Sequence, residues 1–414
     1  MVLSPILAGL MTLTLAPAPT ATAAPPRANA VVTWNAHAQT AIYEVARQAP
    51  YVAPRSFAMV HGAVYDAVNA IAGTPYEPYL TAPRAHRTDS ADAAVAAAAY
   101  TVLLDLFPAQ SDALREQYDT ALAAIPAGRS RAAGIEVGAR AANAMITARR
   151  GDGAFEPATW NISAEPGQWR PTPPTLAADG AWVGDLKPFV IPGNTMFRTA
   201  GPPPLTSNRY AADLNEVKEI GGATSTVRTK DQTEAAIWWH DRRLTEWEIK
   251  RQVATRQHLN TLQAARFFAI AEIANADSLI ACFNEKKRWN FWRPVTAVQL
   301  ADTDGNPRTT ADPSWMPLLV TPPFPDYTSG HTCSTSTIMA TMRAFFGRDD
   351  IPFSAYSADA GTIRSFTSFS GALAEVVEAR VWGGVHFRSA DVQGVKIGNG
   401  VAAYVLRHAF QRRH

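Results

Sequence analysis

LQAARFFAIAEIANADSLIACF, residues 262–283, is the stretch whose pattern decides the fold. Leu262, Phe267, Phe268, Ile270, Ile273, Leu279 and Ile280 distribute apolar groups around the whole helical circumference rather than along one stripe. A helix that is apolar on every side finds partners only inside a bundle, so the pattern predicts a long central helix within 244–284. Outward from it, helical periodicity covers about 35–48, 54–73, 88–106, 109–125 and 129–149 on the N-terminal side. Phe57, Val60, Val64, Val68 and Ile71 show it well, on one face of a segment that opens at Pro54 and closes at Gly73. Further helices are expected at 229–241, 330–346, 369–382 and 389–410, with no alternating strand pattern of useful length to compete. The fold expectation is all-α, one large helical bundle over 25–414.

The 414 residues are 47% hydrophobic and 18% charged, which excludes a disordered, collagenous or coiled-coil chain. With 38 basic and 36 acidic side chains the net charge is +2, so there is no broad electrostatic footprint for nucleic acid or an anionic membrane. Any anion site is therefore local. Residues 1–24 are apolar and uncharged and end in Ala21-Thr22-Ala23 before Ala24, the pattern of a cleaved secretory leader although it has no basic start. A secreted or periplasmic protein, free of the membrane after leader removal, is expected. Cys282 and Cys333 then permit either one disulfide or two buried thiols. Between Gly151 and Pro204, prolines such as Pro171, Pro173, Pro174 and Pro202-Pro203-Pro204 forbid helix. Its aromatics, Trp160, Trp169, Trp182, Phe189 and Phe197, argue for an ordered strap packed on the body.

Three segments carry the chemistry. Lys286-Lys-Arg-Trp-Asn-Phe-Trp-Arg293-Pro294 sets a point charge and a planar guanidinium seven positions apart, two helical turns, and so on one face if the helix runs on to Arg293. Ser329-Gly330-His331 stands at the mouth of a helix, where a hydroxyl, a backbone N–H and the helix dipole make an anion cradle. In Arg380-Val-Trp-Gly-Gly-Val-His386, the glycine pair lets the backbone turn sharply and brings Arg380 and His386 to one place. Two arginines and a lysine suit a tetrahedral oxyanion, and two histidines supply a nucleophile or ligand and a general acid/base.

Taken in order, Lys-x6-Arg-Pro, Ser-Gly-His and Arg-x5-His resemble the signature of vanadium-dependent haloperoxidases and the related phosphatidic-acid-phosphatase-type acid phosphatases. The likeness extends over Asp277–Pro294, Pro322–His331 and the N-terminal stretch Ala58–Ala67, with the motifs within 277–391. It implies an α-helical haloperoxidase bundle. Lys286, Arg293, Ser329, Gly330 and Arg380 would hold the oxygens of vanadate, His386 would bond the metal, and His331 would be the acid/base on the opposite side. Lys286, His331 and His386 would be catalytic, with hydrogen peroxide, halide and a small organic acceptor as reactants. Phosphate could occupy the vanadate-free site, and a homodimer is implied by relatives that pair through helices. Phe324 stands where chloride-using relatives have Phe and bromide-using ones often have His. With Phe283 and Trp292 nearby, it is expected to line a dry halide pocket.

Two positions depart from the family pattern. Thr328 replaces the proline common before Ser-Gly-His, expected to alter only loop stiffness. The phosphatase pattern wants Asp four residues after the second histidine, but that position is Ala390, with Asp391 one further on and turned by about 100°. Asp391 is thus a poor orienter for His386, which disfavours the alternative of a phosphomonoesterase using His386 as nucleophile and His331 as general acid. Gly398-Asn-Gly400 lacks a βαβ unit, Asp302-Thr-Asp304-Gly-Asn306 reads as a polar turn, and His37, His61, His240 and His258 read as packing residues. Asn161-Ile-Ser163 fits a glycosylation acceptor.

Overall fold

Asn260 decides where the central helix begins. Its side chain accepts from Gln263 N–H at 2.9 Å while Gln263 Oε1 accepts from Asn260 N–H at 3.0 Å, a reciprocal capping box that starts a new helix. The computed structural model describes residues 28–241, 243 and 247–413, so the leader expected over 1–24 lies outside the described residues. The helices run α1 (Ala30–Gln39), α2 (Ala53–Ile71), α3 (Ala91–Leu106), α4 (Ser111–Ala123), α5 (Arg129–Ala148), α6 (Asn208–Ile220), α7 (Lys230–His240) and α8 (Ile249–Arg256). They continue with α9 (Thr261–Trp289), α10 (Pro294–Gln299), α11 (Gly330–Phe346), α12 (Phe369–Trp382) and α13 (Arg388–His408).

The expected single helix over 244–284 is thus two, α8 and α9, and α9 runs on to Trp289, where Asn290 closes it in the left-handed conformation (φ 45°). α9 is long and apolar enough to cross a membrane, yet 94% of its most apolar window is buried by protein: it packs on α2, α11 and α13. α2, α3 and α5 form the adjoining N-terminal layer. In α2 every residue is buried, which requires neighbours on all sides.

Three elements were not read from the pattern, the short α10 among them. α6 follows the polyproline run and is capped by Ser207. A hairpin of β1 (Phe353–Ser357) and β2 (Thr362–Phe366), with Phe353 opposite Phe366, leans on α7 and α8. Its alternation lasts only five residues per strand, too short to stand out.

The strap over 151–204 is ordered, irregular chain with one 3₁₀ turn at Ala181–Asp185. Trp160 and Trp169 are buried as expected. Buried carboxylates of α9 tether it. Asp277 accepts from the N–H groups of Phe189, Val190 and Ile191 at 2.6, 2.8 and 2.9 Å. Glu285 accepts from Arg198 Nη1 at 2.6 Å and from Thr199 N and Oγ1 at 3.0 and 2.6 Å.

Candidate active site

Lys286, Arg293 and Arg380 are each 0% exposed, and three uncompensated buried cations could not persist together. Lys286, in the last turn of α9, donates from Nζ to the carbonyls of Pro325 and Asp326 at 2.7 and 2.9 Å. Arg293 donates from Nε to Phe324 O at 2.7 Å and from Nη1 to Val385 O at 2.8 Å. The two do not share a helical face as the seven-residue spacing suggested. The helix stops at Trp289, residues 290–292 lead to Arg293 as the extended N-cap of α10, and the loop at 324–326 gathers both cations.

Ser329 is the N-cap of α11, its side chain makes no capping bond, and its N–H is tied to Ala390 O at 3.0 Å. Gly330 opens that helix with His331 second, so hydroxyl, backbone N–H and imidazole are presented at a helix N-terminus as the sequence implied. Arg380 lies in the last turn of α12. Beyond it Gly384 takes φ 72°, and a Cβ there would run into the carbonyl oxygen of Gly221. Only glycine allows the turn that delivers His386 beside Arg293, whose Nη1 stands 3.2 Å from His386 Nε2.

Burial pulls Lys286 down to about 8 and Arg293 down to about 10. Burial, followed by the charges of Arg293, Lys286 and Arg380, drives His386 well below its ordinary value and keeps the imidazole neutral. Among the described residues, Arg293 Nη2 is buried without a hydrogen-bond partner, which leaves an N–H pair available to a ligand. No group of three or more His, Cys, Asp or Glu side chains could hold a bare metal cation among the described residues. A cation-rich donor set of this kind fits an oxyanion such as vanadate or phosphate.

A cavity of about 550 Å³ opens above this floor, lined by Gly330, His331 and His386 at depth and by Tyr51, Phe283 and Phe324 along an aromatic wall. Phe324 lies 5.0 Å from both Lys286 Nζ and Arg293 Cζ, within cation–π range. Trp292 is not part of this wall. It packs instead in the cluster that holds Tyr210, Phe291 and Phe387. Thr175, Ala177 and Asp179 of the strap line another side.

Residues 266–414 match the family model described as the VCPO second helical-bundle domain. Vanadium chloroperoxidase of Curvularia inaequalis is 28% identical over 194 residues, 37% of this chain and 31% of its own length. The C-terminal part of the chain thus resembles the vanadium chloroperoxidases. The match spans about a third of that curated relative. A bacterial vanadium-dependent iodoperoxidase shares the fold with a TM-score of 0.78 at 24% identity, over 93% of this chain and 96% of its own. A holo-type bacterial vanadium-dependent chloroperoxidase does so with 0.68 at 18%, over 89% and 94%.

Within this bundle, three residues change standing. His240, read from sequence as a packing residue, lines the cavity with its ring parallel to that of His331, centroids 6.2 Å apart. Asp326, not singled out at all, is fully buried with Oδ1 2.7 Å from His386 Nδ1. Its only sequence signal is a charge inside an otherwise apolar, proline-rich run. Thr328 does more than set loop stiffness: its Oγ1 stands 3.2 Å from Cys282 Sγ and 3.8 Å from Cys333 Sγ, two free, buried thiols rather than a disulfide. Asp391 is buried, with Ser329 and Arg380 among the groups that act on it.

Proposed function

We propose that this chain is a vanadate-dependent haloperoxidase that oxidises halide with hydrogen peroxide to hypohalous acid, with His386 as the residue that bonds the metal. The observation that carries this is the gathering of three buried cations, one with a partnerless guanidinium nitrogen, around the neutral buried histidine His386, which itself lines the cavity. When bound, vanadate supplies Lewis-acid activation of peroxide without changing oxidation state. The protein does the rest. Lys286, Arg293 and Arg380 would neutralise the oxyanion, Ser329 and Gly330 would donate to it from the head of α11, and His386 would offer it an unprotonated ring nitrogen. His331, half-buried at the cavity wall, would move protons to and from the bound group. Phe283 and Phe324 keep water from the two nearest cations, which strengthens their hold on anions, and the cavity has room for a small organic acceptor. The solved chloroperoxidase and iodoperoxidase relatives bracket the halide range, and Phe324 leans this site toward chloride. Export to an oxidising compartment is supported by the leader-like residues 1–24 alone.

One observation favours a second activity in the same cradle. The carboxylate that seemed to be missing behind His386 is supplied by Asp326, so phosphomonoester hydrolysis, with His386 attacking phosphorus and His331 protonating the leaving alcohol, loses its main objection. The chain from Ala24 onward, stripped of metal, is divided: one half receives orthovanadate, peroxide and chloride, bromide or iodide with a dye acceptor, the other an aryl phosphate. Vanadate-dependent halogenation with little hydrolysis is the expected result. Brisk hydrolysis that vanadate only inhibits would replace the first reading with the second.

A further inference from the structure

Asp326 touches three members of the oxyanion cradle at once. Its main-chain oxygen accepts from Lys286 Nζ at 2.9 Å, its Oδ1 lies 3.7 Å from Arg293 Nη1, and the same Oδ1 lies 2.7 Å from His386 Nδ1. Its own N–H is held by Phe291 O at 2.9 Å, which fixes the residue to the segment leading into Arg293. The side chain is 0% exposed, in a chain where a buried carboxylate without a task would be costly.

The protonation pattern of His386 follows from its neighbours. A guanidinium nitrogen can only donate, and Arg293 Nη1 stands 3.2 Å from Nε2, so Nε2 must carry the lone pair. The ring proton of the neutral imidazole therefore sits on Nδ1, the nitrogen that faces Asp326. The two atoms stand at ion-pair distance without yet meeting hydrogen-bond geometry, as is common before a site is loaded. We propose that Asp326 is the positioning residue of this site: its carboxylate holds the Nδ1–H tautomer of His386 and steadies Arg293, so that Nε2 and the guanidinium present themselves together to the bound oxyanion. Asp391, which the spacing after His386 brings to mind for this task, is buried within electrostatic reach of Ser329 and Arg380. Each half of the cradle thus has its own buried carboxylate, one drawn from the loop ahead of Ser329 and one from α13. An outer-shell acid of this kind sets the ring's orientation and its strength as a ligand.

The inference rests on His386 being the vanadate-bonding residue, and the experiment separates the two ideas. Full-chain wild-type protein, Asp326→Asn, Asp326→Ala and His386→Ala are compared without vanadate by ¹⁵N spectra of labelled histidine, His386→Ala identifying the signal. Orthovanadate dissociation constants are measured on the same proteins by equilibrium dialysis. Expected for wild type is a His386 ring with unprotonated Nε2. Asp326→Asn, whose amide oxygen can still accept, should keep that tautomer and bind vanadate about threefold to tenfold more weakly. Asp326→Ala should lose the single tautomer and weaken binding roughly 10- to 100-fold. If both Asp326 variants keep the wild-type ring signature and dissociation constant while only their thermal midpoint falls, Asp326 is merely structural and the inference is overturned. Should His386→Ala bind vanadate like the wild type, the underlying assignment of His386 fails instead, whatever the Asp326 variants do. A misfolded Asp326→Ala leaves the test to Asp326→Asn, for which an unchanged vanadate dissociation constant would refute the proposal.

Discussion

Replacing Asp277 by Asn probes how the strap is held, because this one buried carboxylate accepts three consecutive backbone N–H groups from Phe189, Val190 and Ile191. Burial pushes its carboxyl from 3.8 up to about 6, against the pull of those three donors. Because the folded value lies above the unfolded one, the fold favours the protonated form. The group's share of stability is therefore complete below about pH 4 and is lost as pH rises through about 6. At about 1.4 kcal/mol per pH unit, ionisation in the fold costs about 3 kcal/mol more than in the open chain. The amide that replaces the carboxyl would not titrate, and one amide oxygen cannot satisfy three donors, so each N–H left unpaired costs about 1–3 kcal/mol. The penalty of Asp277→Asn should accordingly be largest near pH 4 and shrink by up to about 3 kcal/mol by pH 7. Urea unfolding followed by circular dichroism at pH 4, 5, 6 and 7 measures it, and limited proteolysis within 186–200 should accelerate as the tether weakens. A penalty that is constant, or that grows toward pH 7, would show that the three N–H groups hold the ionised form more strongly than burial opposes it, and the reasoning would fall.

Other outcomes follow from the same geometry. Gly384→Ala should destabilise the protein by about 3 kcal/mol, from the positive φ together with the collision at Gly221, and should weaken orthovanadate binding by displacing His386; an unshifted melting curve would refute this. Arg293→Lys keeps the charge but loses the fork that spans Phe324 O and Val385 O, so the vanadate dissociation constant should rise by about 10- to 100-fold, whereas an unchanged constant would mean that charge alone suffices. Phe324→His should raise bromide relative to chloride turnover by placing a polar ring between Lys286 and Arg293, and identical halide ratios would remove Phe324 from the pocket argument. Cys282 and Cys333 should react with a thiol reagent only after unfolding, giving two thiols per chain; none at all would mean a disulfide.

Much of the fold was legible because helix periodicity is a local property. The all-round apolar character of 262–283, the proline at the head of α2 and the boundaries of α11 and α12 all appear where the spacing puts them. The break between α8 and α9 was also written in the sequence, as Asn260 three residues before Gln263, and was missed because the apolar pattern seemed to run across it. The short hairpin escaped for want of length, and α6 because it sits just beyond a proline run.

Which residue types attend the oxyanion is set by motifs a few residues long: a lysine and an arginine, a helix opening with Ser-Gly-His, an arginine and a histidine flanking two glycines. Their chemistry follows from side-chain identity and needs no partner to be named. Which carboxylate stands behind which cation, by contrast, was decided only by packing. Asp326 and His386 are sixty residues apart in sequence and 2.7 Å apart in space, and Trp292 turned away from the pocket that Phe324 joined. In the same way the strap is held on the body by Asp277 and Glu285 of α9, and its Asp179, tied to Pro323 O, joins the cavity wall. A buried charge is tolerated only where the folded chain brings its counter-group, and that meeting is a property of three dimensions rather than of spacing along the chain.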